Sequence, residues 1–242
     1  MKVATSATWG EDLRMAARRL SAGLWAGLIC GALVGGIGGR IAMFVLRLTS
    51  DPSLRGRETD DGFIIGDVTG DSFFLILFVT AIGTAGGVFY LGVRGWIPKR
   101  HRALAMGLFG GAVGGAAVIH PDGIDFVVLE PLWLAIVMFI ALPALYGVAM
   151  SALCEALTAR AEGSKETQAW VGAILPLLAA LVLGPIGLLV IAVLGLGWVI
   201  NRQVSLAWLW RSQPVTWLGR TALVAIGTFA VVVLIGDVTQ IL

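Results

Sequence analysis

Residues 168–200 carry no charged side chain, and apolar runs of sixteen residues or more recur along the chain. Runs of that length match the thickness of a bilayer core and leave a water-soluble fold little surface to build from. Only 13% of the residues are charged, about half the share usual in soluble domains. Lipid offers no partner to an unpaired backbone group, so the spanning elements must satisfy themselves. The runs are continuous rather than alternating in and out, which argues against a β-barrel. The expected fold class is therefore all-α, a polytopic transmembrane helical bundle.

The uncharged stretch 168–200 would be roughly 50 Å long as one helix, against a bilayer core of about 30 Å. Gly184-Pro185 at its middle is a turn signal. Two short spans, about 168–183 and 186–201, are expected instead, forming a hairpin. The other expected spans are about 21–46, 72–93, 103–119, 131–157 and 218–236. Residues 1–20 read as a cytoplasmic amphipathic segment ahead of a single transmembrane domain, 21–242. Thr8 and Glu11 have capping-box spacing. Leu13, Ala16, Ala17 and Leu20 would face lipid, and Arg14, Arg18 and Arg19 headgroups. The first run has no clear small-x-small cleavage site, so it is expected to remain as an uncleaved span. Residues 202–217 mix Trp208, Trp210 and Trp217 with Arg202 and Arg211, the composition of an interfacial helix.

Charge placement bears on six spans against seven. With a cytoplasmic N-terminus and seven spans, thirteen of the seventeen Lys and Arg lie inside, the exceptions being Arg40, Arg47, Arg55 and Arg57. Six spans would move Arg202, Arg211 and Arg220 outside. The positive-inside rule favours seven, with the C-terminus outside.

The candidate polar site comprises Arg40, His120, Asp122, Asp125 and Glu130. An arginine inside a span is costly and marks either function or a structural pairing, with snorkelling to the headgroups a further option for Arg40. The connection His120–Pro131, HPDGIDFVVLEP, has three carboxylates and no Lys or Arg. His120, Asp122 and Asp125 are metal-ligand types, yet too few and too loosely ordered to define a metal site. Pro121-Asp122-Gly123 reads more simply as a turn. Asp125 and Glu130 could act as an acid/base pair, but a salt bridge to Arg40, with Asp125 the first choice, is favoured.

Glycines at four-residue spacing mark close-packing faces: Gly31, Gly35 and Gly39 on span 1, and Gly107, Gly111 and Gly115 on span 3. Those two faces are expected to meet. Pro143 should kink span 4. Cys30 and Cys154 are expected at different depths, as apolar packing residues and not as a disulfide. No phosphate-binding loop, nucleophile elbow or zinc-protease motif occurs, so no cofactor is expected. The basic clusters are short and juxtamembrane, which points to lipid and not to nucleic acid.

The segments GGIGGRIAMFVLR and HPDGIDFVVLEPLWLAIVMFIALPALYG resemble uncharacterised multi-span membrane proteins of high-GC Gram-positive bacteria, over roughly the first 150 residues. The resemblance implies a multi-pass protein of the bacterial inner membrane and brings no activity with it. Three functions are expected in descending order. The first is a small transporter, channel or transport subunit with a polar site near the outer face. The second is a non-catalytic scaffold or partner subunit whose charges only lock helices. The last is an intramembrane enzyme using the outer carboxylates. Expected partners are the bilayer and either a second copy or another membrane protein.

Overall fold

The structure is a computed structural model that describes residues 9–51, 70–121, 123, 130–163, 192, 210 and 212–242, with backbone alone at 9–14, 71–72 and 161–163. The first span begins as α1 (Trp9–Cys30), passes through a π-helical segment (Gly31–Gly38) and ends as α2 (Gly39–Thr49). Then come α3 (Gly70–Val93), a 3₁₀ turn (Lys99–His101), α4 (Arg102–Val118), α5 (Leu132–Gly163) and α6 (Gln213–Ile241). The protein is all-helical among the described residues. Among the described residues, four segments are long and apolar enough to cross a membrane: Met15–Thr49, Phe73–Val93, Leu132–Arg160 and Gln213–Ile241. At seventeen residues, α4 is about 26 Å long by helix rise, close to the same thickness.

The helix ends follow local chemistry. Ser50 closes α2, its backbone N–H and Oγ both donating to the Leu46 carbonyl, at 3.1 and 2.8 Å. At the far end of α4, Ile119 is extended and Pro121 follows two residues later, which disfavours further helix. The 3₁₀ turn leads α4 out of extended Pro98. Ser212 is extended ahead of α6, and Pro214 fits its first turn.

Two antiparallel helix pairs carry most of the packing. The first span lies against α3, where Gly23, Gly27 and Gly31 meet Gly87, Gly83 and Thr80. A methyl group at Gly27 would overlap the Gly83 carbonyl, and one at Gly87 the Gly23 carbonyl. The second pair is α4 with α5. Gly110 and Gly114 receive Pro143, while Gly147 lies against the Met106 carbonyl. Small residues let backbones approach to van der Waals contact, the main source of helix association in lipid. Further out, α1 packs on α5 and α6 on α4.

Several expectations change here. The glycine faces of spans 1 and 3 do not meet; each instead faces a neighbour in sequence. Gly31 touches Thr80 and Gly83, Gly35 touches Val79, and Gly39 has nothing near it. The reason is that α3 already occupies the glycine face of the first span, with Gly31 and Gly35 both lying against it. Gly107 and Gly111 face Val148 and Ala144 of α5, and Gly115 meets Ile140 and Leu234. The amphipathic start is continuous with the span through α1, and Ala17, expected at lipid, is 1% exposed. The last span starts at Gln213, five residues before the expected 218 and inside the segment read as interfacial. The hairpin 168–201 lies outside the described residues.

Two core clusters form. One gathers Ala26, Cys30, Tyr90, Val93, Met106, Met150 and Cys154; the other Leu46, Ile119, Ala135, Ile136 and Leu234. Both cysteines are free and buried in the first cluster.

Candidate functional site

Polar residues collect at both ends of the bundle. The end carrying Ser50, His120, Glu130 and Asp237 is the one where the sequence places its candidate site. Ser50 clasps the start of α5: the Glu130 N–H donates to Ser50 Oγ at 2.9 Å, with the Glu130 carbonyl 3.1 Å from the same hydroxyl. This clasp uses the backbone of Glu130, whose side chain is exposed. His120 Nδ1 stands 3.9 Å from Asp237 Oδ2, joining the end of α4 to the end of α6. The Gly123 N–H donates to the His120 carbonyl at 3.1 Å, closing the turn expected there.

Arg40 lies two residues beyond the π-helical segment, half-buried, with Nε and one terminal nitrogen shielded by protein. Arg47, a further two turns on, has its guanidinium carbon 6.0 Å from the Phe44 ring centre. Asp122 and Asp125 lie outside the described residues, as does the expected pairing of Arg40 with Asp125. Of the five candidates, the described contacts tie Glu130 to Ser50 and His120 to Asp237, and join none of the candidates to another. No group of three or more His, Cys, Asp or Glu close enough to hold a metal ion occurs among the described residues.

The opposite end holds a denser network that the sequence reading missed. Glu155 of α5 is its hub. Tyr90 of α3 donates its hydroxyl to Glu155 Oε1 at 2.8 Å, and Arg94 Nε stands 3.5 Å from the same oxygen. Arg102, at the start of α4, donates to Glu155 Oε2 at 2.8 Å. Arg94 also donates to Thr158 Oγ1 at 3.2 Å, and Arg102 Nε to the Ile97 carbonyl at 3.3 Å. One carboxylate thus ties three helices together. Two guanidinium groups face it, so the charge-assisted bonds are strong while the local charge stays positive. The missed signal was the isolated Glu155 in SALCEALTAR, one turn beyond the apolar part of its span, with Arg94 and Arg102 bracketing the preceding turn. Positive-inside counting assigns such arginines to topology alone and ignores the carboxylate.

Between the two ends, the interior is closed by backbone contact. Thr80 and Thr84 return their hydroxyls to the Ile76 and Thr80 carbonyls of their own helix, at 2.6 and 2.9 Å. Tyr146 of α5 donates to the Gly83 carbonyl, over Gly86, where any side chain would meet the hydroxyl. No protein-family model matches the chain, and no curated protein or solved structure does either.

Proposed function

We propose that the protein is an integral membrane scaffold or partner subunit without catalytic activity, the second of the readings raised by the sequence. The observation that carries it is the use made of the polar groups around Glu155. Tyr90, Arg94, Arg102 and Glu155 bond from helix to helix, and the adjoining interior is filled by glycine-to-backbone contact at Gly27, Gly83 and Gly87. Substrate sites of transporters normally lie near the bilayer midplane on unwound helices. Here Thr80, Thr84 and Tyr146, polar side chains between the two ends among the described residues, are bonded to backbone carbonyls.

The topology proposed with it has seven spans, a cytoplasmic N-terminus and an outer C-terminus, in a bacterial plasma membrane. The direction of α6 supports the count. Arg220, near its start, bonds Trp96 just before α4, while Asp237, near its end, stands by His120 just after α4. Thus α6 runs parallel to α4 and antiparallel to α5, which calls for an even number of crossings between α5 and α6. Two crossings fit the uncharged length of 168–200; the six-span alternative needs one.

One observation favours the transport reading with an outer polar site. The π-helical segment sits just before Arg40, two of whose nitrogens are buried, and π-helical turns are frequent at functional sites. Reconstitution separates the two. Liposomes holding the purified protein alone should show the proton, potassium and chloride permeability of empty liposomes. A saturable flux abolished by Arg40→Gln would establish the transport reading instead.

A further inference from the structure

A groove of about 660 Å³ runs between α4 and α6. Phe109 lines one wall, Gly227 and Val231 the other, and Trp96, Pro98 and Arg220 stand at one end. The distance along α6 from Arg220 to Val231 is about 16 Å by helix rise. That is roughly half of a 30 Å bilayer core, or one leaflet. The lining is apolar apart from Arg220 at one end and the Thr228 side chain further along α6, and no carboxylate is among the lining residues.

Arg220 is held in place there. Its Nε donates to the Trp96 carbonyl at 2.7 Å, and its guanidinium carbon lies 5.8 Å from the Trp217 ring centre. Arg220 is exposed, and with Nε fixed its terminal nitrogens are the part of the guanidinium left to offer a phosphate. Trp96 in turn is fixed between Gly219, whose missing side chain makes room for the indole, and Trp210, stacked at 5.0 Å. Trp210 donates its indole N–H to the Gly92 carbonyl at 2.8 Å. Exposed Lys99 and Arg100 follow directly after Pro98 and add positive charge at that level.

We infer that this groove is a binding site for one anionic phospholipid of the leaflet on the Arg220 side, with an acyl chain along α4 and α6 and its phosphate on Arg220. Three features select this occupant over a bare apolar filler. The groove is one leaflet deep, its only charge is a cation at the membrane-surface end, and tryptophans frame that end as they do at headgroup level. Basic pockets between helices on the cytoplasmic side are known to hold anionic headgroups.

The test is lipid retention by the full-length protein in detergent, read by native mass spectrometry, with dioleoyl phosphatidylglycerol against dioleoyl phosphatidylcholine. One phosphatidylglycerol per chain should be retained, preferred by about fivefold, the worth of one basic residue at a membrane surface. Arg220→Gln should bring that preference to near unity. Gly227→Phe should abolish retention of both lipids, since only the Phe109 ring edge lies near Gly227, at 3.8 Å, and the added ring has the groove to fill. Val231→Phe serves the same end if the first variant does not fold. Equal retention of the two lipids, or a preference unchanged in Arg220→Gln, overturns the proposal. So does an equal loss in Arg100→Gln, which would mean diffuse surface charge. Displacement of the lipid by inorganic phosphate, with Gly227→Phe without effect, would mean a free-anion site. Retention of no lipid at all would mean that the chain itself fills the groove.

Discussion

Glu155 is the residue on which most of the described polar structure depends. Its carboxylate receives a tyrosine hydroxyl and two guanidinium groups from α3, α4 and the turn between them. The side chain is 35% exposed, so solvent screens part of its attraction. Glu155→Gln should therefore cost about 1–3 kcal/mol, the range for bonds to a charged group, seen as a lower midpoint in detergent unfolding. Arg102, 11% exposed, is the more buried partner. Arg102→Ala should destabilise by a similar amount, and Arg102→Ala/Glu155→Ala by less than the sum, because neither charge is then stranded. Strictly additive losses would show that the two do not interact. At the other end, Ser50→Ala removes both bonds to the Glu130 backbone and should cost about 1 kcal/mol. If Ser50→Ala unfolds at the parent midpoint, the clasp between α2 and α5 contributes nothing.

At the scale of elements, the glycines divide into two kinds. Gly27 and Gly83 are required for the first span to touch α3. Leucine at either should push the helices apart and prevent stable folding in detergent, a loss at least as large as the 1–3 kcal/mol of ordinary overpacking. Gly39 has open space where a side chain would go and ordinary helical backbone angles. Gly39→Ala should fold at least as well as the parent, gaining up to about 1 kcal/mol from helix propensity. Comparing the midpoints of the two variants checks both statements at once. Spacing alone gives no way to tell these glycines apart, because it shows which residues share a face and not what that face meets. A π-helical segment also replaces regular α-helix at Gly31–Gly38. The run GALVGGIG carries no residue type that announces a change of helix type. By contrast, α3 and α4 were legible to within two residues, because charged or proline-bearing segments bound the apolar runs on both sides. Ser50 and Asp237 escaped notice because single polar residues at a span end are common and their partners lie 80 and 117 positions away.

At the scale of the whole molecule, the described helices form a bundle tied at its two ends and closed by backbone contact between them. The charges propose a direction across the membrane, and the parallel course of α4 and α6 fits the even number of crossings between α5 and α6 that seven spans require. A reporter fused after Leu242 should be active only outside the cytoplasm; cytoplasmic activity would contradict seven spans. The central claim is that the interior near the Glu155 hub is dry and structural. The two natural cysteines report on it, since Cys30 and Cys154 are 5% and 0% exposed within one core cluster. The most direct measurement is their reaction with a small membrane-permeant maleimide in native membranes, followed by the same reaction after denaturation. A dry bundle leaves both thiols unmodified until the chain is unfolded, when both react. Rapid modification of Cys30 in the folded protein would reveal water inside the bundle and contradict the account.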